Sequence, residues 1–377
     1  MRFTRLTLEN WRNFKHVELE LTRRVFIVGP NASGKSNLLD VFRFLRDVAK
    51  PEGGGFQGAV RERGGVSQIR CLHARQHPSV ATEVEVELGG STWGYRLEFA
   101  QDNQRQPIVV RERVQRDGAV LLARPDEEDA EDRSRLSQTH LEQVTVNKRF
   151  RELADFFAEV RYLHVVPQLI RDPRRVLPVS RDPFGGDFLQ QLATTPKKTL
   201  EARLRKINRA LQVALPQLKE LKLEKDNRGI PHLRGLYEHW RPKAGWQSEE
   251  HLSDGTLRLI GLLWAFLDGD HPLLLEEPEL SLHSGVVRHI PAMMSRAGRK
   301  AGRQIILSTH SRDLLLDKGI GPQEVVLLIP SQEATRAELA ASDREIRALL
   351  EGGVPIADAV LPRTAPEQAA QLALFGT

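Results

Sequence analysis

The chain has 377 residues with a formal net charge of +5; 40% of its residues are hydrophobic and 28% charged, and Cys71 is its only cysteine. That length supports more than one lobe around a sizeable core, and the balance is that of a soluble globular protein with a mildly basic surface compatible with nucleic acid. One cysteine excludes an intrachain disulfide and a cysteine metal cluster, the N-terminal MRFTRLTLENW lacks a signal-peptide core, and the longest apolar stretch, near residues 260–267, is too short to span a bilayer. A reducing cytoplasm and no membrane are therefore expected.

Residues 3–8 and 17–21 alternate apolar and polar side chains, as half-buried strands do, with a polar turn over residues 10–14. Residues 25–28 form an apolar run, long enough for one buried strand. Gly29, Pro30, Asn31, Ala32, Ser33, Gly34, Lys35 and Ser36 then fit G-x-x-x-x-G-K-[ST], and from Asn37 onward Leu38, Leu39, Val41, Phe42 and Leu45 recur at helical spacing. A glycine-rich loop between a strand and a helix can turn its N–H groups inward, and the helix start adds partial positive charge, so the stretch reads as a phosphate cradle. Lys35 has the reach for the β- and γ-phosphates, and Ser36 can hold Mg²⁺.

Another glycine-rich loop follows over residues 51–57, with Gln57 at its end. Residues 81–88, 92–100, 108–114 and 119–123 read as an antiparallel β-meander turning at Gly89-Gly90, Asp102-Asn103 and Asp117-Gly118, with its acidic side chains on a solvated face. PDEEDAEDRSR, residues 125–135, has no apolar period and reads as a mobile surface loop. Residues 150–160 look helical and 171–187 form a long Pro-, Gly- and Arg-rich loop. Residues 199–221 suggest a helix interrupted by Pro216, too short for a long coiled-coil arm.

Ser253, Asp254 and Gly255 precede the apolar helix 257–267, with cap residues and an approachable backbone that make a second anion-binding helix start. An apolar strand, 273–275, then runs into Glu276 and Glu277. Two carboxylates at a buried strand end are costly unless they meet a metal, a proton or water; beside a phosphate cradle they are the expected Mg²⁺ and water site. The buried strand 304–307 leads into Ser308, Thr309 and His310, where an imidazole can reach a γ-phosphate or attacking water. A last strand over 325–329, a helix near 334–350 and an apolar tag at 372–375 complete the chain.

The P-loop, LSDGT, LLLEEPE and STHS, in that order, resemble the ABC-type ATPases of the RecF/SMC branch, and most closely the stand-alone AAA family ATPases related to RecF and OLD-type proteins. The resemblance covers roughly residues 1–330. It implies an α/β fold: a P-loop ATPase head with a mixed-sheet ATP lobe, an antiparallel meander and an inserted helical lobe. The corresponding boundaries are 1–124 and 251–330 for the two parts of the head, 125–250 for a mainly helical insertion and 331–377 for a tail. ATP and Mg²⁺ are the implied cofactors. The implied roles are phosphate binding by residues 29–37, metal holding by Ser36, Gln57 and Glu276, general-base action by Glu277 and γ-phosphate sensing by His310. Gln68 fits the glutamine role more loosely than Gln57. Arg12 and Asn13 would approach the adenine, and Ser253 and Gly255 would meet the γ-phosphate held by a second subunit. The implied partners are a second copy, joined head to tail on ATP binding, DNA, and a separate nuclease or effector protein. A P-loop kinase would have no use for LSDGT.

Three departures, Glu276 for the usual Asp, LSDGT for LSGGQ and Leu280-Ser281-Leu282-His283 without a final Asp, suit this branch better than a membrane transporter. OLD-type relatives carry a Toprim nuclease that needs an Asp-x-Asp pair. Residues 331–377 contain none; the Asp268/Asp270 pair lies in a turn, and Glu220-x-Lys222 is only a fragment of a nuclease motif. The chain is expected to hydrolyse ATP without cutting DNA.

Overall fold

Continuous apolar runs and alternating ones sort into different sheets. The computed structural model describes residues 1–72, 78–172, 182–238 and 245–364. Its strands are β1 (Arg2–Trp11), β2 (Phe14–Glu20), β3 (Arg24–Val28), β4 (Val80–Leu88), β5 (Ser91–Gln101), β6 (Pro107–Arg116), β7 (Ala119–Arg124), β8 (Arg161–Leu163), β9 (Leu218–Lys225), β10 (Pro231–Tyr237), β11 (Trp246–Ser248), β12 (Leu273–Glu276), β13 (Ile305–Thr309), β14 (Val325–Ile329) and β15 (Arg336–Leu339). The alternating strands form an antiparallel sheet in the order β2-β1-β4-β5-β6-β7. The apolar runs form the second sheet, β15-β14-β3-β13-β12-β8, parallel except for β15. β13 is buried at every position, as a strand covered on both faces must be. β9, β10 and β11 make a small antiparallel sheet.

The Lys35–Val48 helix lies between the two large sheets. Its Leu38, Phe42 and Leu45 share one core with Phe3, Leu6 and Val84 of the antiparallel sheet and with Val25, Leu274 and Ile306 of the parallel one. Phe3 closes that core against Phe42 and Phe156, with ring centroids 4.8 and 5.0 Å apart. The other face of the parallel sheet buries Phe26, Leu275 and Leu307 against Ile290, Met294 and Leu315. A third core joins Leu204, Ile207 and Leu211 of the Lys197–Ala214 helix, Leu221 and Leu233 of the small sheet, and Leu257, Ile260 and Trp264 of the Asp254–Leu267 helix. No helix among the described residues is long and apolar enough to cross a membrane.

Several expectations need correction. Within residues 125–250 the helix expected over 199–221 ends at Ala214 before Pro216, and Leu218 and Leu221 turn inward from a strand instead of continuing it. This segment also lends β8 to the parallel sheet. The helix expected over 334–350 begins only at Arg344, because Arg336–Leu339 pairs along β14. The apolar tag at 372–375 and part of the 171–187 loop lie outside the described residues.

The acidic face of the meander is not wholly solvated. Glu112 is fully buried and accepts hydrogen bonds from the His140 and Leu141 amides at 2.8 and 3.0 Å and from Arg124 at 3.2 Å. Burial raises its pKa against the pull of these donors. Arg124 also grips Asp129 with two bonds of 2.8 and 2.7 Å, which lower that carboxyl from 3.8 to about 2. Asp129 belongs to the expected mobile loop, yet it lies in a short Glu127–Glu131 helix, where it closes a capping box with Asp126, and is buried. One buried guanidinium thus serves two buried carboxylates. Arg124→Ala removes the cation that both share and is expected to cost about 3–5 kcal/mol in urea unfolding at neutral pH. The Asp129 contribution is complete above its ordinary value and is lost as pH falls toward about 2; an unchanged midpoint would refute the account.

Candidate functional site

β3 is flanked on both sides by parallel strands, β13 and β14, so its C-terminal end delivers the glycine-rich loop to one edge of the sheet. Gly34 caps the Lys35–Val48 helix at φ +96°, a conformation that favours glycine. A Cβ there would lie 2.3 Å from Asn13 Nδ2. Asn13 Nδ2 donates to the Ser33 carbonyl and to Thr335 Oγ1, both at 2.8 Å, while Asn13 Oδ1 accepts from Asn37 Nδ2 at 2.8 Å. Neighbouring Trp11 donates through Nε1 to the Asn37 carbonyl at 2.9 Å. The turn of the β1–β2 hairpin therefore clamps the loop. The Asn13 side chain is thus committed to the loop and to Thr335.

Lys35 is only 7% exposed; its Nζ donates to the carbonyls of Gly29 and Pro30 at 3.0 and 3.1 Å and lies 3.6 Å from Glu277 Oε1. Ser33 Oγ is buried in the loop and has no hydrogen-bond partner among the described residues, so the cradle still has a donor to offer. Ser36 Oγ donates to Glu276 Oε1, and the Tyr162 hydroxyl donates to Glu276 Oε2. Burial, then the Glu276 carboxylate, push the Tyr162 pKa upward, so it remains a donor. Glu277 has φ +42°, its amide donates to the Ser308 carbonyl at 3.1 Å, and its Oε1 is 3.2 Å from His310 Nδ1. Glu279 is buried, accepts from Thr309 Oγ1 and has its pKa raised by burial.

These donors fit a magnesium nucleotide. Among the described residues no group of three or more His, Cys, Asp and Glu side chains forms a metal cage. One hydroxyl and one carboxylate, beside a buried lysine and a helix start, make the sparse set that suits Mg²⁺ shared with phosphates and water.

Arg12 does not stand free. Its Nη2 donates to Asp40 Oδ2 at 3.0 Å, and Arg63 holds the same carboxylate with two bonds. Burial opposes ionisation of Asp40, but Arg63, Arg43 and Arg12 together keep its pKa below the usual range. These groups, Arg12 among them, line a polar cavity of about 260 Å³ that reaches Ser36 and Asn37. Gln57 is not brought to the site: its Nε2 donates to the carbonyls of Pro107 and Ser137 at 2.8 and 2.7 Å. Two backbone acceptors satisfy the amide and tie it to the meander instead.

Ser253 caps the Asp254–Leu267 helix, its Oγ accepting from the Thr256 amide at 3.2 Å, and a Cβ on Gly255 would meet the Ser281 carbonyl at 2.5 Å. No hydrogen bond or ion pair among the described residues joins Ser253 or Gly255 to residues 29–37. Sequence reasoning missed Tyr162, His164 and Gln168. His164 Nδ1 lies 3.2 Å from the Glu276 carbonyl, and Gln168 Nε2 donates to Asp254 Oδ2 at 3.4 Å. Tyr162 lies on a strand of three residues that carries no periodic signal, and His164 and Gln168 follow it; pairing of that strand beside β12 brings the segment here.

The family model described as "AAA domain, putative AbiEii toxin, Type IV TA system" matches residues 24–317. Among solved structures the chain is similar to an SMC head bound to the C-winged helix domain of ScpA, with a TM-score of 0.56 and 13% identity over 90% of this chain and 97% of that one. It is also similar to an SMC head domain with an extended coiled coil bound to the C-terminal domain of ScpA, derived from Pyrococcus furiosus, with a TM-score of 0.50 and 11% identity over 93% and 98% of the two chains. Comparison with curated proteins gives no match. The fold is that of an SMC-type ATPase head, as the motif order implied.

The clamp makes a specific demand. Asn13→Ala removes the hydrogen bonds to Ser33 and Asn37 and the one that ties the clamp to Thr335, and is expected to weaken binding of a fluorescent ATP analogue about 10–100-fold with little change in melting temperature. Wild-type affinity would show that the loop holds its shape without the hairpin.

Proposed function

The chain belongs to this AAA domain family, and from that membership we propose that it is a Mg²⁺-dependent ATPase whose copies close head to tail on ATP. One observation carries the reading. Glu277 Oε1 stands between Lys35 Nζ at 3.6 Å and His310 Nδ1 at 3.2 Å, one residue beyond the carboxylate that meets Ser36. In this reading the 29–36 backbone and Lys35 bind the phosphates. Ser36 and Glu276 would hold Mg²⁺, which when bound neutralises charge on the β- and γ-oxygens. Glu277 takes the proton of the attacking water, and His310 orients that carboxylate and meets the γ-phosphate.

Ser253 and Gly255 support a site completed by a second copy, because they form an anion-ready helix start not joined to their own phosphate loop. The biological setting we propose is DNA metabolism or antiviral defence. The two similar SMC heads were solved with ScpA domains. That favours a further reading in which ATP closure holds or releases a partner protein and hydrolysis resets it. Cleavage of DNA is assigned to a separate protein: the Asp268 carboxylate is engaged by Arg161 and Arg203, which suits a structural turn.

Glu277→Gln is expected to keep ATP binding and to lower phosphate release by about 10²–10⁴-fold, with the ATP-bound protein trapped as a dimer in light scattering. If Glu276→Gln stops turnover and Glu277→Gln does not, the two roles are reversed. Ser253→Arg is expected to abolish the ATP-dependent doubling of mass while monomers still bind nucleotide. Loss of binding by the isolated monomer would place this segment in its own subunit's site.

A further inference from the structure

We propose that Tyr162 is a positioning residue for Glu276, pinning one carboxylate oxygen so that the other faces Ser36 and the metal. The inference rests on the ATPase reading above and concerns how that site is held. β8 is the edge strand beside β12, and Tyr162 pairs with Leu274. Glu276 lies two residues beyond Leu274, hence on the same face of the sheet. The phenol therefore approaches the carboxylate from the side, donating to Oε2 while Ser36 Oγ donates to Oε1.

The ring is itself held. The Arg43 guanidinium carbon lies 4.3 Å from its centroid, and Tyr162 is 8% exposed. Arg43 follows Ser36 by two turns of the Lys35–Val48 helix, on the same helix face. Ser36, Glu276, Tyr162 and Arg43 thus close a ring of contacts that starts and ends on one helix. The helix that begins at the phosphate loop and the strand that carries the acids are tied at two points.

A glutamate at this position needs such a tie. Compared with the aspartate usual in related sites, Glu276 has one more rotatable bond, and its carboxylate can sweep past the metal position. Fixing the far oxygen removes that freedom before the metal arrives, as outer contacts do for metal ligands generally. The shorter aspartate would not span from β12 to both hydroxyls.

The test uses the full chain and a fluorescent ATP analogue, titrated in EDTA and in excess Mg²⁺. Tyr162→Phe keeps the ring against Arg43 and removes only the hydroxyl. The expected result is metal-free affinity within twofold of wild type, an unchanged melting temperature, and a Mg²⁺-dependent gain in affinity reduced about tenfold. In the Glu276→Asp background, Tyr162→Phe is expected to add no further loss. A wild-type Mg²⁺ gain in Tyr162→Phe, or an equal loss with and without metal, overturns the proposal; the latter would mean simple packing. Wild-type protein that shows no Mg²⁺-dependent gain overturns the metal reading and this proposal together. Phosphate release is scored separately: wild type that binds Mg²⁺-nucleotide without turnover refutes the ATPase reading, while the Tyr162 comparison is still decided by affinity.

Discussion

Parallel pairing imposes the constraint on which this molecule depends. Strands that run the same way end at the same edge, and whatever leaves those ends is brought together. β3, β12, β13 and β8 all point one way, and their ends supply the phosphate loop, the Glu276–Glu277 pair, His310 and Tyr162. Register then sets heights: Glu276 stands opposite Ser308, so Glu277 draws its amide bond from the same residue and its side chain turns back toward Lys35. The positive φ of Glu277 marks this turn.

The antiparallel sheet contributes more than support. Its first hairpin reaches across the helix that separates the two sheets, and residues 11–13 bond to Ser33, Asn37 and Asp40. Thr335, just before β15, bonds to Asn13 from the other side. The loop is therefore shaped by groups from both layers. A rigid clamp of this kind lets the backbone donors wait in place for an anion rather than being ordered by it.

Much of this was legible because the signals are local. The P-loop, the acid pair, the run that ends in His310 and the meander each occupy a few consecutive residues with a pattern of their own. What escaped is set by partners far along the chain. Gln57 looked suitable by its place after the loop, yet two carbonyls from the meander region claim it. Glu112 and Asp129 read as solvated charges until Arg124 is seen between them. Tyr162 sits in a strand too short to show a period, and its role exists only because β8 lies beside β12. The helix expected after residue 334 lost to strand pairing with β14.

The strand order also bears on how the protein is made. β3 is synthesised early, but its neighbours on both sides begin only at Ile305 and Val325. During translation this apolar strand has two unpaired edges for most of the chain's length, and the antiparallel sheet and its helix can assemble well before them. Exposed edges of this kind invite pairing with other nascent chains. The head is thus completed by a late closing step, in which β13 inserts between β3 and β12. A ribosome stalled before that point would carry the nucleotide loop without the sheet that holds it, a state suited to capture by chaperones.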